Sequence, residues 1–436
     1  MRHSPAGIFF PLFFSLLFSS SIYAQENSPY TRYGIGDLNQ AGYPAWRGMG
    51  MAGVSLAADS LPLFNPLNPA SLGSMRLASF DIGFFGKQSV LETPDTLQWF
   101  GNGSISHFSL SVPVYQKKKN FGWGSAFSIN PFSRVDYSIA QTNDATSTGG
   151  QDISYSGFKG TGSLYKMSVG NGFRFGTLNS ICVMAGFNAS LLFGNLQYQN
   201  TQVYPDTVNA YDTRQTESRS VSGIYFDGGI QVHHALSDHL SLGIGLTGRL
   251  NSNLSAKHDE VWDRFNLTAF GAIPRDTIFL LANEHGTITL PSSFTAGISL
   301  EHFFKWKAAL DFSSESWSNY RSFGKSDSLI NIWKIAGGFE YALGAGNVQD
   351  YSKAIKLRIG GYYGLHPVKL FSTEMKEAGV SIGAGIPLRR ILSELQVSVE
   401  AGRRGTTENG LLRESFLRLN IGFTLSDKWF IPQKFD

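Results

Sequence analysis

The stretch Leu417-Arg418-Leu419-Asn420-Ile421-Gly422-Phe423-Thr424-Leu425 decides the fold class. Large apolar side chains occupy every second position, and the residues between them are polar or glycine. A strand turns successive side chains to opposite faces, so this stretch has one greasy face and one wet face. The same alternation recurs upstream. Leu395, Val397, Val399 and Ala401 oppose Glu394, Gln396, Ser398 and Glu400, and Leu240, Leu242, Ile244 and Leu246 oppose Ser241, Gly243, Gly245 and Thr247. Phe294, Ala296, Ile298 and Leu300, and then Trp306, Ala308, Leu310 and Phe312, repeat it again.

A half-buried sheet in a soluble sandwich would alternate too. Two features favour a membrane barrel. The segments run for about 10–15 residues, the length a tilted strand needs to cross a bilayer, whereas soluble strands average about five or six. Segments at 77–92, 104–115, 121–140, 151–175, 179–199, 219–234, 239–256, 292–303, 306–317, 329–341, 355–366, 377–387, 392–403 and 414–425 give about 14 strands. The connections also alternate in length. Those at 116–120, 176–178, 235–238 and 388–391 are tight, those at 200–218 and 257–291 are long and polar, and 344–354 is longer than its place predicts. Short periplasmic turns and longer outer loops are the usual asymmetry of outer-membrane barrels. The expectation is therefore an all-β fold, a transmembrane antiparallel β-barrel spanning 77–436. Lipid offers no hydrogen bonds to an open sheet edge, so the sheet must close. A barrel of this size is too wide for wall side chains alone to fill, so its lumen holds water, a plug or a ligand path.

Composition agrees. The chain has 436 residues with 16% charged, 14% aromatic and 48 Gly, against roughly a quarter charged in an ordinary soluble protein. A net charge of +3, scattered along the chain, excludes nucleic acid as the default partner. The lone Cys182 excludes a disulfide framework, and no metal or cofactor is expected. Residues 1–24 read as a signal peptide: a basic start, an apolar run over 8–18, and Ala24 at the cleavage point before Gln25. Export to the outer membrane follows.

Charges at Asp227, Arg249, Glu301, Lys307, Asp311, Arg358, Glu400 and Arg418 all fall on the polar faces of their strands. An Arg or Lys facing lipid would cost about 2–4 kcal/mol at mid-bilayer. Either these charges pair with one another across a wet lumen, or Arg249, Arg358 or Arg418 meets a ligand carboxylate. Trp123, Trp306, Tyr362, Tyr363 and Trp429 are placed to form interfacial girdles. Gly48-x-Gly50-x-x-Gly53 matches a dinucleotide fingerprint only formally, since no strand precedes it. His233 and His234 point to opposite faces of one strand and cannot share a metal. No constellation of catalytic residues appears, so an enzyme is not expected.

Residues 25–76 do not alternate and are punctuated by Gly and Pro, so they cannot be a lipid-facing strand. Tyr30, Tyr33, Trp46, Met49, Met51 and Phe64 give them enough apolar surface to pack as a plug within the barrel. Asn68-Pro69-Ala70 reads as a helix start, with Asn capping and Pro at the first helical position.

Gly48-Met49-Gly50-Met51-Ala52-Gly53, Ala57-Ala58-Asp59-Ser60 and Asn68-Pro69-Ala70-Ser71-Leu72, in that order, resemble the N-terminal hatch of FadL-type outer-membrane transporters. The resemblance implies a 14-strand barrel around a small hatch, and passive uptake of a hydrophobic small molecule such as a long-chain fatty acid or a hydrocarbon. It gives Gly48, Gly50, Gly53, Asn68, Pro69 and Ala70 shaping and gating roles. It also implies a sideways exit through a kinked strand, for which Gly124 and Pro131 on the third strand are the candidates. The stretch 377–385 and the ending Lys428-Trp429-Phe430 resemble a branch found in bacteria with type IX secretion. That resemblance implies the alternative of an interaction or shuttle protein with secretion-system partners.

Overall fold

The computed structural model describes residues 28–38, 42–57, 64–118, 120–145, 152–205, 209–268, 271–303, 305–344, 355–388 and 393–428. The signal peptide, Asp59, Ser60 and Trp429 lie outside the described residues. The chain forms a closed antiparallel barrel of 14 strands. We number them β1 (Ala78–Glu92), β2 (Leu97–Lys118), β3 (Phe121–Ala145), β4 (Asp152–Gly176), β5 (Ile181–Val203) and β6 (Asp212–Ala235). Next come β7 (Leu240–Arg249 and Ser252–Thr268), β8 (Gly271–Leu290 and Ser293–His302), β9 (Trp306–Glu315) and β10 (Ile332–Ala342). The last are β11 (Lys356–Leu370), β12 (Thr373–Pro387), β13 (Glu394–Gly405) and β14 (Arg413–Asp427). Each strand pairs with its sequence neighbours, and β1 closes on β14 from Ala78↔Asp427 to Glu92↔Arg413.

The period-two faces fall as the sequence demands. Ile224, Phe226, Ile230, Val232, Ile244, Leu246, Phe294, Ile298, Leu310, Phe312, Leu417, Phe423 and Leu425 are exposed on the outer surface, forming the apolar belt. Their alternates, including Gln231, Ser241, Ser299, Asp311, Glu400 and Arg418, are buried inside. Tyr363 faces out but Tyr362 faces in, so Tyr362 is no girdle residue; its hydroxyl donates to Glu400 at 2.8 Å.

Much of the two expected loops is strand, over 200–203, 212–218, 257–268 and 271–290. Above Ser222 the wall continues, with β6 pairing β7 from Asp212↔Phe265 to Ser222↔Ser255, and β7 pairing β8 from Ser252↔Leu290 to Thr268↔Gly271. Most residues here are polar on both faces, as in Thr213-Arg214-Gln215-Thr216-Glu217-Ser218. Main-chain pairing holds this region outside the hydrocarbon without any alternation in the sequence. The strand runs of β7 and β8 are both interrupted where belt passes into hairpin, at 250–251 and 291–292, and there Arg249 donates from Nε and Nη2 to the Pro291 carbonyl at 3.1 and 3.0 Å.

The outer half of the lumen is filled. Ile35, Val135, Tyr137, Leu164, Leu192, Leu196, Tyr198, Val221, Tyr225, Leu254, Ile288 and Leu290 form one apolar core with Trp317 and Tyr320 from the connection after β9.

Candidate functional site: the lumen and its N-terminal segment

Residues 28–38, 42–57 and 64–75 pack against the inner side of the wall from one rim to the other. The start sits among the long connections. Tyr30 Oη donates to the Leu412 carbonyl at 2.5 Å, and Gly34 N donates to Asp327 Oδ2 at 2.6 Å. The end sits among the tight turns, where Gln116 Nε2 donates to the Gly73 carbonyl at 3.2 Å. With short turns facing the periplasm, the segment enters from the outer rim.

Local sequence explains its shape. A one-turn helix α1 (Pro44–Gly48) starts at Pro44, whose missing N–H is no loss at a first helical position. It ends in the glycine run because Gly50 and Gly53 take φ of +65° and +145°, which only glycine adopts freely. Met51, also at positive φ, closes the turn by donating to the Trp46 carbonyl at 2.7 Å. Trp46 is buried against Phe64, and its Nε1 donates to the Phe64 carbonyl at 3.1 Å. Asn68 caps a 3-10 turn (Pro69–Ser74), accepting from Ala70 N at 3.0 Å while its Nδ2 donates to the Val54 carbonyl at 2.8 Å and the Ile230 carbonyl at 3.3 Å. This one side chain ties cap, glycine loop and wall together.

Wall glycines make the seat. A Cβ on Gly172 would lie 2.5 Å from the Pro69 carbonyl oxygen, one on Gly186 2.5 Å from the Pro69 carbonyl carbon, and one on Gly360 2.2 Å from Gly50 N. Gly48 packs on Gly383 and Arg358, and its carbonyl accepts from Ser381 Oγ at 3.3 Å. Gly124 belongs to this seat as well: it pairs regularly with Gly172, and a Cβ there would lie 2.1 Å from the Leu72 carbonyl oxygen.

Charged side chains fasten the segment. Asp311 Oδ2 accepts from Gly53 N at 2.7 Å and Val54 N at 2.9 Å. Glu400 pairs with Arg47 at 3.3 Å. Arg404, buried, holds Asp37 at 3.0 Å and Glu414 at 2.5 Å, and Glu414 also takes Lys87 at 2.7 Å. Arg358 binds Glu340 at 2.7 Å and Glu394 at 3.1 Å. Arg418 is buried with its guanidinium 5.1 Å from the Phe85 ring centre, and Arg249 lies 5.6 Å from the Tyr225 ring. The lumen charges thus engage one another, the wall and the N-terminal segment. Sequence reasoning missed Asp37, Arg47, Gln231, Arg404 and Glu414. Only Arg404 and Glu414 carried a local signal, since they face each other across the β13–β14 turn.

Pro131 marks a break in the wall. β2 and β3 pair from Lys118↔Phe121 to Phe108↔Ile129 and stop there, although β2 extends to Leu97 and β3 to Ala145. Proline brings no N–H to a ladder, and the β3–β4 register shifts between Pro131 and Ser133. Beyond the break, the edge of β3 is met from inside. Asp37 N donates to the Arg134 carbonyl at 2.9 Å, Arg134 N donates to the Asp37 carbonyl at 3.1 Å, and Asp136 N donates to Thr31 Oγ1 at 3.3 Å. A cavity of about 180 Å³ lies at the break, lined by Phe85, Ser104, Pro131, Arg134, Ser163 and Tyr165.

Among the described residues no group of His, Cys, Asp and Glu is placed to hold a metal ion. Cys182 is buried beside Ala57, Ala70, Leu178 and Met184.

Solved structures share the architecture. The chain is similar to the CymD monoaromatic hydrocarbon channel at 15% identity, with 90% of this chain and 99% of that one covered and a TM-score of 0.52. It is similar to a Pseudomonas aeruginosa FadL homologue at 13% identity, covering 91% and 100%, TM-score 0.53. It is also similar to the Ralstonia pickettii toluene transporter TbuX at 13% identity, covering 89% and 99%, TM-score 0.51. At these identities the likeness is one of fold. No curated protein matches the chain. The family model described as BamG matches residues 9–436, and the chain belongs to the BamG family, a FadL-like barrel.

Proposed function

We propose that this protein is an outer-membrane conduit through which hydrophobic small molecules pass without an energy source. The N-terminal segment is the movable hatch, and the β2–β3 break is the side exit. The observation that carries this reading is the break itself: the ladder ends at Phe108↔Ile129, a cavity opens beside Pro131, and the freed β3 edge is held by Asp37 rather than by β2. An apolar molecule released sideways gains roughly 0.8 kcal/mol per CH₂ removed from water, so the step into lipid is downhill. The similar structures named for toluene and monoaromatic hydrocarbons are consistent with that class. Because the outer half is packed, passage requires residues 28–37 to leave the β3 edge.

A double variant tests this. Asp37 and Arg134 exchange both backbone hydrogen bonds, so their Cα atoms lie about 5.5 Å apart, within disulfide range. Asp37→Cys with Arg134→Cys should form a disulfide that lowers toluene uptake by cells to the level of a deletion strain. A thiol reductant should restore uptake to that of Asp37→Cys alone. Undiminished uptake by the oxidised double variant would refute the hatch-and-exit reading.

The filled outer lumen favours a second reading, in which the barrel serves as an interaction protein and carries no cargo. The three similar structures named above do not speak to type IX secretion.

A further inference from the structure

We infer that Lys376 and Arg403, on the lipid-facing side of β12 and β13, form a binding site for the phosphate of an anionic glycolipid in the outer leaflet. The site lies on the outside of the wall, so it goes beyond the conduit and does not depend on it. Strand parity puts the two side chains there. Arg404 and Glu414 are buried inside, so their sequence neighbours Arg403 and Arg413 point outward. Arg403 lies opposite Ala378 of β12 on one side and Ser415 of β14 on the other. Lys376, two residues from Ala378, shares that face, and both cations are exposed.

Their depth follows from the ladder. The pairs Arg403↔Ser415, Ser415↔Val90 and Val90↔Trp99 set Arg403 level with Trp99, an exposed aromatic. One step towards the periplasm, Leu417 and Val380 begin the exposed apolar belt, with Ile382 below them. One step outward stand Lys376 and Arg413. The cations therefore occupy the level where hydrocarbon gives way to headgroups, the place of an aromatic girdle, where a charge facing lipid is tolerated.

The other outward charges of this sector are spent on one another. Arg413 grips Glu92 through Nε at 2.9 Å and through Nη2, and Lys369 pairs with Glu374 at 3.8 Å. Among the described residues neither Lys376 nor Arg403 has an ion-pair partner. The sector is left with a net charge of +2 from these two side chains. A phosphomonoester carries about −1.5 to −2 at neutral pH, and a guanidinium offers it a planar fork of donors. Ser415 at the same level and Gln88, exposed one step deeper beside Leu417, add neutral hydrogen-bonding groups suited to a sugar or an amide linkage. A zwitterionic phospholipid brings its own ammonium and cancels no charge here, and a second copy would bring the same two cations. A phosphorylated glycolipid matches charge, depth and polar neighbours together.

The test uses the purified full-length protein in zwitterionic lipid nanodiscs, with lipid A, a doubly phosphorylated and acylated glucosamine disaccharide, as the probe and native mass spectrometry as the readout. Lys376→Gln with Arg403→Gln should weaken lipid A binding about thirtyfold, at roughly 1 kcal/mol for each cation near the surface. The urea unfolding midpoint should not move, since both side chains are exposed. Arg403→Lys should retain most of the binding, and Lys159→Gln, at an exposed cation on β4, should retain all of it. Lipid A stripped of both phosphates should bind the wild-type protein as weakly as intact lipid A binds the double variant. Equal binding of the two lipids, or full binding by the double variant, would overturn the proposal. So would displacement of lipid A by millimolar inorganic phosphate, which would make this a site for a free anion and not for a lipid headgroup.

Discussion

Replacing Arg404 by Met should destabilise the barrel by about 3–5 kcal/mol, the usual cost of removing one partner from a buried ion pair. Arg404 is 3% exposed and forks between Asp37, on the N-terminal segment, and Glu414, on β14. Without it Glu414 keeps Lys87 and Ser89, but two carboxylates face the same dry volume. The expected signature is coupling. Asp37→Leu combined with Arg404→Met should cost less than the sum of the two single changes, because the second removes a charge the first has stranded. Urea titrations followed by the gel-mobility shift of the folded barrel provide the measurement. Strict additivity would mean that Arg404 does not hold the segment.

The second large effect is steric. Gly360→Val places a Cβ 2.2 Å from both Gly50 N and the Met49 carbonyl carbon, where only backbone could give way. The wall is held by continuous ladders on both sides of β11, so the segment should yield and the strand should stay. The expected cost is about 3 kcal/mol from overpacking, with residues 42–57 becoming open to protease. Gly86→Val is the control, because a Cβ there meets nothing within 4 Å; it should change stability by less than about 0.5 kcal/mol. If both variants behave alike, the Gly48–Gly53 run is not seated on this wall.

Much of this architecture was legible in the sequence, and the reason is the solvent. Lipid on one side and a polar lumen on the other force alternation, so the belt strands announced themselves residue by residue. The non-alternating 25–76 could not face lipid, and Asn68-Pro69 signalled a cap that forms, though on a 3-10 turn. What failed to show has physical causes too. The upper β6–β8 sheet is polar on most of both faces, so no period marks it, and it read as loop. Tyr362 and Tyr363 are adjacent, and only strand parity shows which faces lipid. The fastening pairs Asp37–Arg404 and Arg47–Glu400 join residues hundreds of positions apart, and no local pattern foretells them. Gly124 stood as a candidate for the kinked strand, but its missing side chain makes room for the Leu72 carbonyl. Pro131, in contrast, stands where the β2–β3 ladder ends.

Closure of the lumen by the chain's own N-terminal segment is tested most directly by the conductance of the purified wild-type protein in planar bilayers. A packed outer half, with residues 28–38, 42–57 and 64–75 seated along the wall, predicts no steady ion current at any modest voltage, and a current that appears in Gly360→Val. A persistent ohmic, porin-like current through the wild-type protein would contradict it.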